Sequence, residues 1–183
     1  MHFLSVIEPL LDAEGGMRIH EQEPGGASNH GISLVTFRKY HNNQALQITD
    51  LALLTREEAK PIYASLFWTP IDGDSIQSKM VAKLHFDQAA NRGVEGFREL
   101  LVNCLKGRFN QVVDRTTPFA KLNELVNAIP EREFFRRLLC DAQHSYREIA
   151  FRKQLAGLWS EQVANDTLKI WMVRTHNLLK LLV

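Results

Sequence analysis

The sequence predicts a mainly α-helical protein with one small β-ribbon, and three observations carry that expectation. Apolar residues recur at three- and four-residue spacing over most of the 183 residues, the pattern of helices that bury a single stripe. Turn-forming glycine and proline gather between Gly15 and Gly31, where a chain must reverse tightly. Helix-start signals such as Thr55-Arg56-Glu57-Glu58 stand directly before apolar periodic runs, as a capping box should.

Taken in order, Phe3, Leu4, Ile7, Leu10 and Leu11 place one amphipathic helix over residues 2–14. Pro9 is compatible with it only near the first turn or with a bend, and Gly15-Gly16 end it. Residues 17–31, with Pro24-Gly25-Gly26 and Gly31, read as a hairpin or irregular ribbon. After Ser33 the pattern is helical nearly to the end. Thr55 opens a helix running towards Trp68, with either a bend or a late start expected at Pro61. Thr69-Pro70 and Asp72-Gly73-Asp74 form a loop, Ser75 starts a helix that reaches about Asn91, and Gly93 closes it. Further helices are expected near 94–106, 119–128, 131–154 and 160–181. A boundary near Asn91–Gly93, or at Thr116-Thr117-Pro118, divides the chain into lobes 1–93 and 94–183 that pack together. No internal repeat is present.

Composition narrows the function classes. With 45% apolar and 23% charged residues the chain has the balance of an ordinary globular protein. A formal net charge of +1 gives no global field for nucleic acid, and the basic lean after Glu131 is interleaved with acids. The N-terminus lacks a basic n-region and a small-residue cleavage site, and Glu8 and Asp12 interrupt its apolar run. Synthesis in the cytoplasm without a signal peptide is therefore expected. No stretch approaches the roughly 18 apolar residues of a spanning helix. Cys104 and Cys140 both sit in apolar helical patterns and are expected as buried free thiols. The scattered histidines, His20 and His30 nearest among them, give no metal-ligand spacing, and no cofactor is implied.

The densest chemistry lies between Glu14 and Ser33. Glu14 falls at the C-terminal end of the first helix, where the dipole presents partial negative charge and disfavours a second one. That setting favours the protonated carboxyl a general acid needs; from position alone, a glutamate fraying into solvent is the more common outcome. Glycoside cleavage also uses a second carboxylate. Glu23 lies across the turn-rich segment, Glu21 competes for the role, and Ser28 has a hydroxyl to orient water. Flanking glycines would let a bulky glycan approach the backbone.

These residues carry a resemblance. Glu14-Gly15-Gly16, then Glu23-Pro24-Gly25-Gly26, Ser28 and Gly31-Ile32 resemble the signature of glycoside hydrolase family 108, the small N-acetylmuramidases of phage lysins and of secretion and toxin-release systems. Phe86-Asp87-Gln88-Ala89-Ala90-Asn91-Arg92-Gly93 is similar to the family's Phe-Asp, small-Asn-x-Gly ending, so the resemblance spans roughly residues 3–105. It implies a lysozyme-like helical fold with the ribbon at the active-site cleft, Glu14 as acid and Glu23 as second acid. Ser28, Asn29, His30 and Asp87 become the candidates for substrate binding. Two departures keep the chemical type, Glu23 for Asp and Ser28 for Thr, whereas Met17-Arg18-Ile19-His20-Glu21-Gln22 loses the family's aromatic and most of its acidic loop. For Asp87 a structural hydrogen bond is the plainer role. Tyr40, Tyr63 and Trp68 are sugar-stacking walls or, more commonly for helical aromatics, core.

The implied activity is hydrolysis of the β-1,4 bond between N-acetylmuramic acid and N-acetylglucosamine in peptidoglycan, for lysis, wall remodelling or toxin release. The enzyme would reach the cell wall through a holin or dedicated export. The implied partner is the glycan strand, with no nucleic acid and no membrane insertion, the protein being a monomer or weak homodimer. Residues 94–183 loosely resemble a peptidoglycan-binding helical half, with Gly157-Leu158-Trp159 where a Gly-Trp pair is common. The terminal stripe of Leu168, Trp171, Met172, Leu178, Leu179 and Leu182 is expected as core or a dimer contact. Two rivals remain: a module on the same fold that binds glycan without cutting it, and a helical DNA-binding protein with salt-sensitive affinity.

Overall fold

The computed structural model describes residues 3–19 and 26–182, and these form a mainly α-helical protein with one small antiparallel sheet. The chain divides into two compact units, residues 1–74 and 75–183. The break falls earlier than the expected boundary at Asn91–Gly93, which lies inside a helix of the second unit.

In the first unit, α1 (Phe3–Glu14) continues past Pro9, which lies inside it. Val6, Ile7 and Leu11 form its buried stripe, while Leu4 is exposed. Gly15 stops it with a left-handed φ of 68° and an N–H donated to the Leu11 carbonyl at 3.2 Å, the conformation only glycine takes at no steric cost. Three short strands follow: β1 (Arg18–Ile19), β2 (Ala27–Asn29) and β3 (Ile32–Ser33). They pair antiparallel in that order, Arg18 opposite Ser28 and Asn29 opposite Ile32. The expected ribbon is therefore a three-stranded sheet. Alternation on β2 turns Ala27 and Asn29 into the core and leaves Ser28 only half-buried.

Ser33 ends β3 and caps α2 (Leu34–His41), its hydroxyl accepting from the Thr36 N–H at 3.2 Å. After α3 (Ile48–Ala52), the Thr55 capping box opens α4 (Arg56–Tyr63) as expected: Thr55 accepts from the Glu58 N–H, and the Glu58 carboxylate accepts from the Thr55 N–H at 2.9 Å. Pro61 lies inside α4, and the chain then widens into a π-helical stretch, Ala64–Trp68.

In the second unit, Ser78 rather than Ser75 is the cap; its side chain starts α5 (Lys79–Phe109). Gly93, with φ 74° and ψ 162°, breaks the helical conformation there without separating the halves. Next come α6 (Phe119–Asn127), α7 (Glu131–Leu155) and α8 (Glu161–Leu179). α7 packs against both α5 and α8. Phe97, Phe134, Phe135 and Leu138 are fully buried in this core. His85 sits beside the Phe97 and Phe134 rings at 4.8 and 5.6 Å, with no hydrogen-bond partner among the described residues. Burial pushes its pKa down to about 3, so it serves as a neutral aromatic wedge. The terminal stripe turns Leu178 into the core and stacks Trp171 on Tyr146 at 4.6 Å. Cys104 is buried, but Cys140 is exposed, contrary to expectation. No helix among the described residues is long and apolar enough to cross a membrane.

Candidate active site

The candidate acid is held by its neighbours from three directions. Upstream, α1 is tied to α4 by charge: the Arg56 guanidinium reaches Glu8 at 2.6 Å and Asp12 at 2.8 Å, and the Lys60 ammonium reaches Glu8 at 2.6 Å. Hydrogen bonds from Lys60 and Arg56 hold the Glu8 carboxyl below its usual range. Such part-exposed pairs add little stability individually, but three on one turn of helix fix the roll and direction of α1, and so where Glu14 emerges.

Beneath Glu14 lies the β2–β3 turn. Its two central residues, His30 and Gly31, both have positive φ, 50° and 76°, as a two-residue hairpin of the primed type requires. Asn and glycine are the usual occupants, so His30 is an unusual choice. Gly31 is also spatially forced. A methyl group on its Cα would stand 2.8 Å from Cγ and 3.0 Å from Cδ of Glu14, and 2.5 Å from the Tyr63 phenol oxygen. The Glu14 carboxyl carbon and that oxygen therefore lie within about 5.5 Å of each other, the sum of the two distances. Glu14 itself is half-buried.

From α4, the buried Tyr63 donates its hydroxyl proton to the His30 carbonyl at 3.1 Å. From the sheet, Asn29, only 4% exposed, donates its amide N–H groups to the carbonyls of Leu51 at 2.9 Å and Leu54 at 3.1 Å. The Leu51 carbonyl lies in the last turn of α3, where it also accepts from the Leu54 N–H at 3.1 Å, and the Leu54 carbonyl lies just past the helix. Asn29, expected at the substrate, therefore works inward as a fastener of the hairpin.

The other candidates fall as follows. Ser28 lies on the half-buried side of β2 and pairs with both neighbouring strands. His30 is half-buried at the turn, with Nδ1 shielded from solvent. Glu23 and its competitor Glu21 lie outside the described residues. Asp87 belongs to the second unit, where it is buried and accepts from Arg174 at 2.7 Å and Gln88 at 2.9 Å; the structural hydrogen bond is the role its geometry fits. Trp68 is core, against Phe3 at 5.7 Å. Tyr40 is half-buried and borders a cavity of about 290 Å³ with His41, Asp50 and Glu58. Tyr63 emerges in a role the sequence did not reveal, that of a brace over the turn on which Glu14 packs. Among the described residues no group of three His, Cys, Asp or Glu is placed to hold a metal ion.

Comparison with known proteins bears on the family and the fold. The model of the family Glycosyl hydrolase 108 matches residues 7–93, from within α1 to the Gly93 break. No curated protein matches the chain. Among solved structures the fold is similar to that of Brucella abortus SagA, with a TM-score of 0.69 at 20% identity over 93% of this chain and 94% of that one. Residues 7–93, just under half of the chain, thus match glycosyl hydrolase family 108, and this match supports a peptidoglycan-directed glycoside hydrolase of the lysozyme type.

Proposed function

We propose that the protein is an N-acetylmuramidase that cuts the β-1,4 bond between N-acetylmuramic acid and N-acetylglucosamine, with Glu14 as general acid and Glu23 as second carboxylate. The observation that carries this is the seating of Glu14, a carboxyl at a helix end packed onto the Gly31 turn beside the braced Tyr63. The Glu14 carboxyl gives its proton to the glycosidic oxygen as the C1–O bond breaks, and water completes the anomeric carbon. The Glu23 carboxylate serves that carbon, by taking the water's proton or by facing the positive charge that develops there. Ser28 orients the water, and His30 lines the approach. A helix end and a hairpin turn locked by buried hydrogen bonds are rigid supports, which general acid catalysis rewards. Wall opening of this kind suits lysis, secretion or toxin release.

Mass spectrometry of digested peptidoglycan tests the bond assignment. Muropeptides should end in reducing N-acetylmuramic acid; reducing N-acetylglucosamine ends, or anhydro ends, would replace the muramidase by another glycan-cleaving activity.

A paired comparison tests the second carboxylate. Glu23→Gln should lose at least about tenfold in kcat, roughly 1.4 kcal/mol of transition-state stabilisation, while Glu21→Gln changes it less than about threefold. Glu23 is favoured because Pro24-Gly25-Gly26 follows it as glycines follow the family's second acid. The reverse ranking transfers the role to Glu21.

A further inference from the structure

Arg18 stands where the chain leaves the family pattern, just beyond the Glu14-Gly15-Gly16 triplet. It opens β1, and the register sets it opposite Ser28, which on its other side is opposite Ser33. Residues that face each other across an antiparallel pair lie on one face of the sheet. Ala27 and Asn29 turn to the core, so Arg18, Ser28 and Ser33 share the outward, polar face, and Arg18 is exposed on it.

The guanidinium turns back towards the proposed acid. One of its terminal nitrogens lies 3.6 Å from the point where a side chain on Gly15, the residue after Glu14, would begin. This is the C-terminal end of α1, whose partial negative charge attracts a cation. That attraction seats the group without spending its directed donors: among the described residues the Arg18 side chain makes no hydrogen bond and no ion pair. The other acids of α1 are taken, Glu8 by Arg56 and Lys60 and Asp12 by Arg56. A guanidinium fork with its donors unspent, on an open face beside a hydroxyl and the proposed acid, matches a planar anion better than the neutral hydroxyls and acetamides of a sugar.

We infer that Arg18 is a specificity-determining residue that receives a carboxylate carried on the lactyl arm of N-acetylmuramic acid. The inference rests on the muramidase reading above. That arm leaves C3 of the same sugar whose C1–O bond Glu14 breaks, so its anion travels with the sugar into the neighbourhood of the acid. The anion has two sources: the lactyl carboxylate itself where the strand is bare, or the α-carboxylate of the γ-linked D-glutamate where the arm bears a peptide stem. Both present the same acceptor-only group to the fork. A strand whose carboxylates are amidated presents none.

Initial rates of the full chain on stemmed and on bare glycan strands, each in free-acid and in amidated form, test the assignment. In at least one of the two pairs kcat/KM should be at least about fivefold higher for the free-acid form, and the pair that shows the advantage identifies the source of the carboxylate. Arg18→Gln should remove the advantage by raising KM for the free-acid strand, and Arg18→Lys, a point charge without the fork, should restore part of it. The advantage should also fade as salt approaches about 1 M, where charges are screened over about 3 Å. Because Arg18 is exposed, both variants should melt like the wild type. The assignment is overturned if the wild type shows no advantage for either free-acid form, or if Arg18→Gln keeps it. An equal loss of kcat by Arg18→Gln on every strand overturns it too, since that would mark an electrostatic neighbour of Glu14 rather than a contact to substrate. Failure of the wild type to cleave any strand would instead remove the proposed function, an outcome read from absolute rates and not from the ratio between strands.

Discussion

Glu14→Gln is expected to leave a folded protein with wild-type melting behaviour and almost no lytic activity. The substitution keeps the size of the side chain and its packing on Gly31, and removes only the proton the leaving oxygen needs. Acid assistance of this kind contributes about 100- to 10,000-fold, and no other carboxyl in the described first unit is seated on the hairpin turn as Glu14 is. Turbidity clearance of peptidoglycan, run beside circular dichroism, is the measurement. Retention of more than about a third of wild-type clearance, far above what loss of an acid permits, would move the acid elsewhere. Unfolding is not the expected cause of loss, because the fasteners of the site are Asn29, Tyr63 and the Glu8–Arg56–Lys60 cluster, none of which the variant touches.

Much of this site was legible in the sequence, for reasons that can be traced residue by residue. The end of α1 was marked by apolar periodicity meeting Gly15, and the turn by Gly31, because both signals depend only on local backbone chemistry. The Thr55 cap was equally local. What the sequence could not carry was any partnership across distance. Asn29 looked like a polar residue in a functional run; its true partners, the carbonyls of Leu51 and Leu54, lie more than twenty residues away. Asp87 matched a family ending, yet its charge answers Arg174, 87 residues further on. Tyr63 had the spacing of a core aromatic, and nothing local showed that its hydroxyl would close over His30. The boundary near Gly93 illustrates the reverse case. The glycine does interrupt the helical backbone, and the family match ends there, but packing joins the two halves of α5 within one unit. A local breaker marks a kink; only tertiary contacts decide whether it is also a border.

Gly31→Ala should be the most damaging small substitution in the first unit, lowering both stability and kcat. Two costs coincide at this residue. An alanine held at a φ of 76° is strained by roughly 1–2 kcal/mol, and its methyl would overlap the Tyr63 oxygen and two carbons of Glu14. The overlap cannot be relieved without moving one of the groups that define the site. Tyr63 is buried and hydrogen-bonded, so Glu14, half-buried at a helix end, is the side chain that gives way. A displacement of about 1 Å at a catalytic group can cost on the order of 100-fold, and kcat should fall by at least about tenfold beyond any loss of folded protein. Gly157→Ala is the control that separates the two costs. Gly157 has a similar φ of 66°, and a methyl there meets nothing within 4 Å. It should lower the melting temperature through strain alone and leave kcat unchanged. Circular dichroism melts and initial clearance rates on folded protein decide the matter. If Gly31→Ala lowers stability no more than Gly157→Ala does and keeps full kcat, the Glu14 carboxyl does not depend on the turn beneath it.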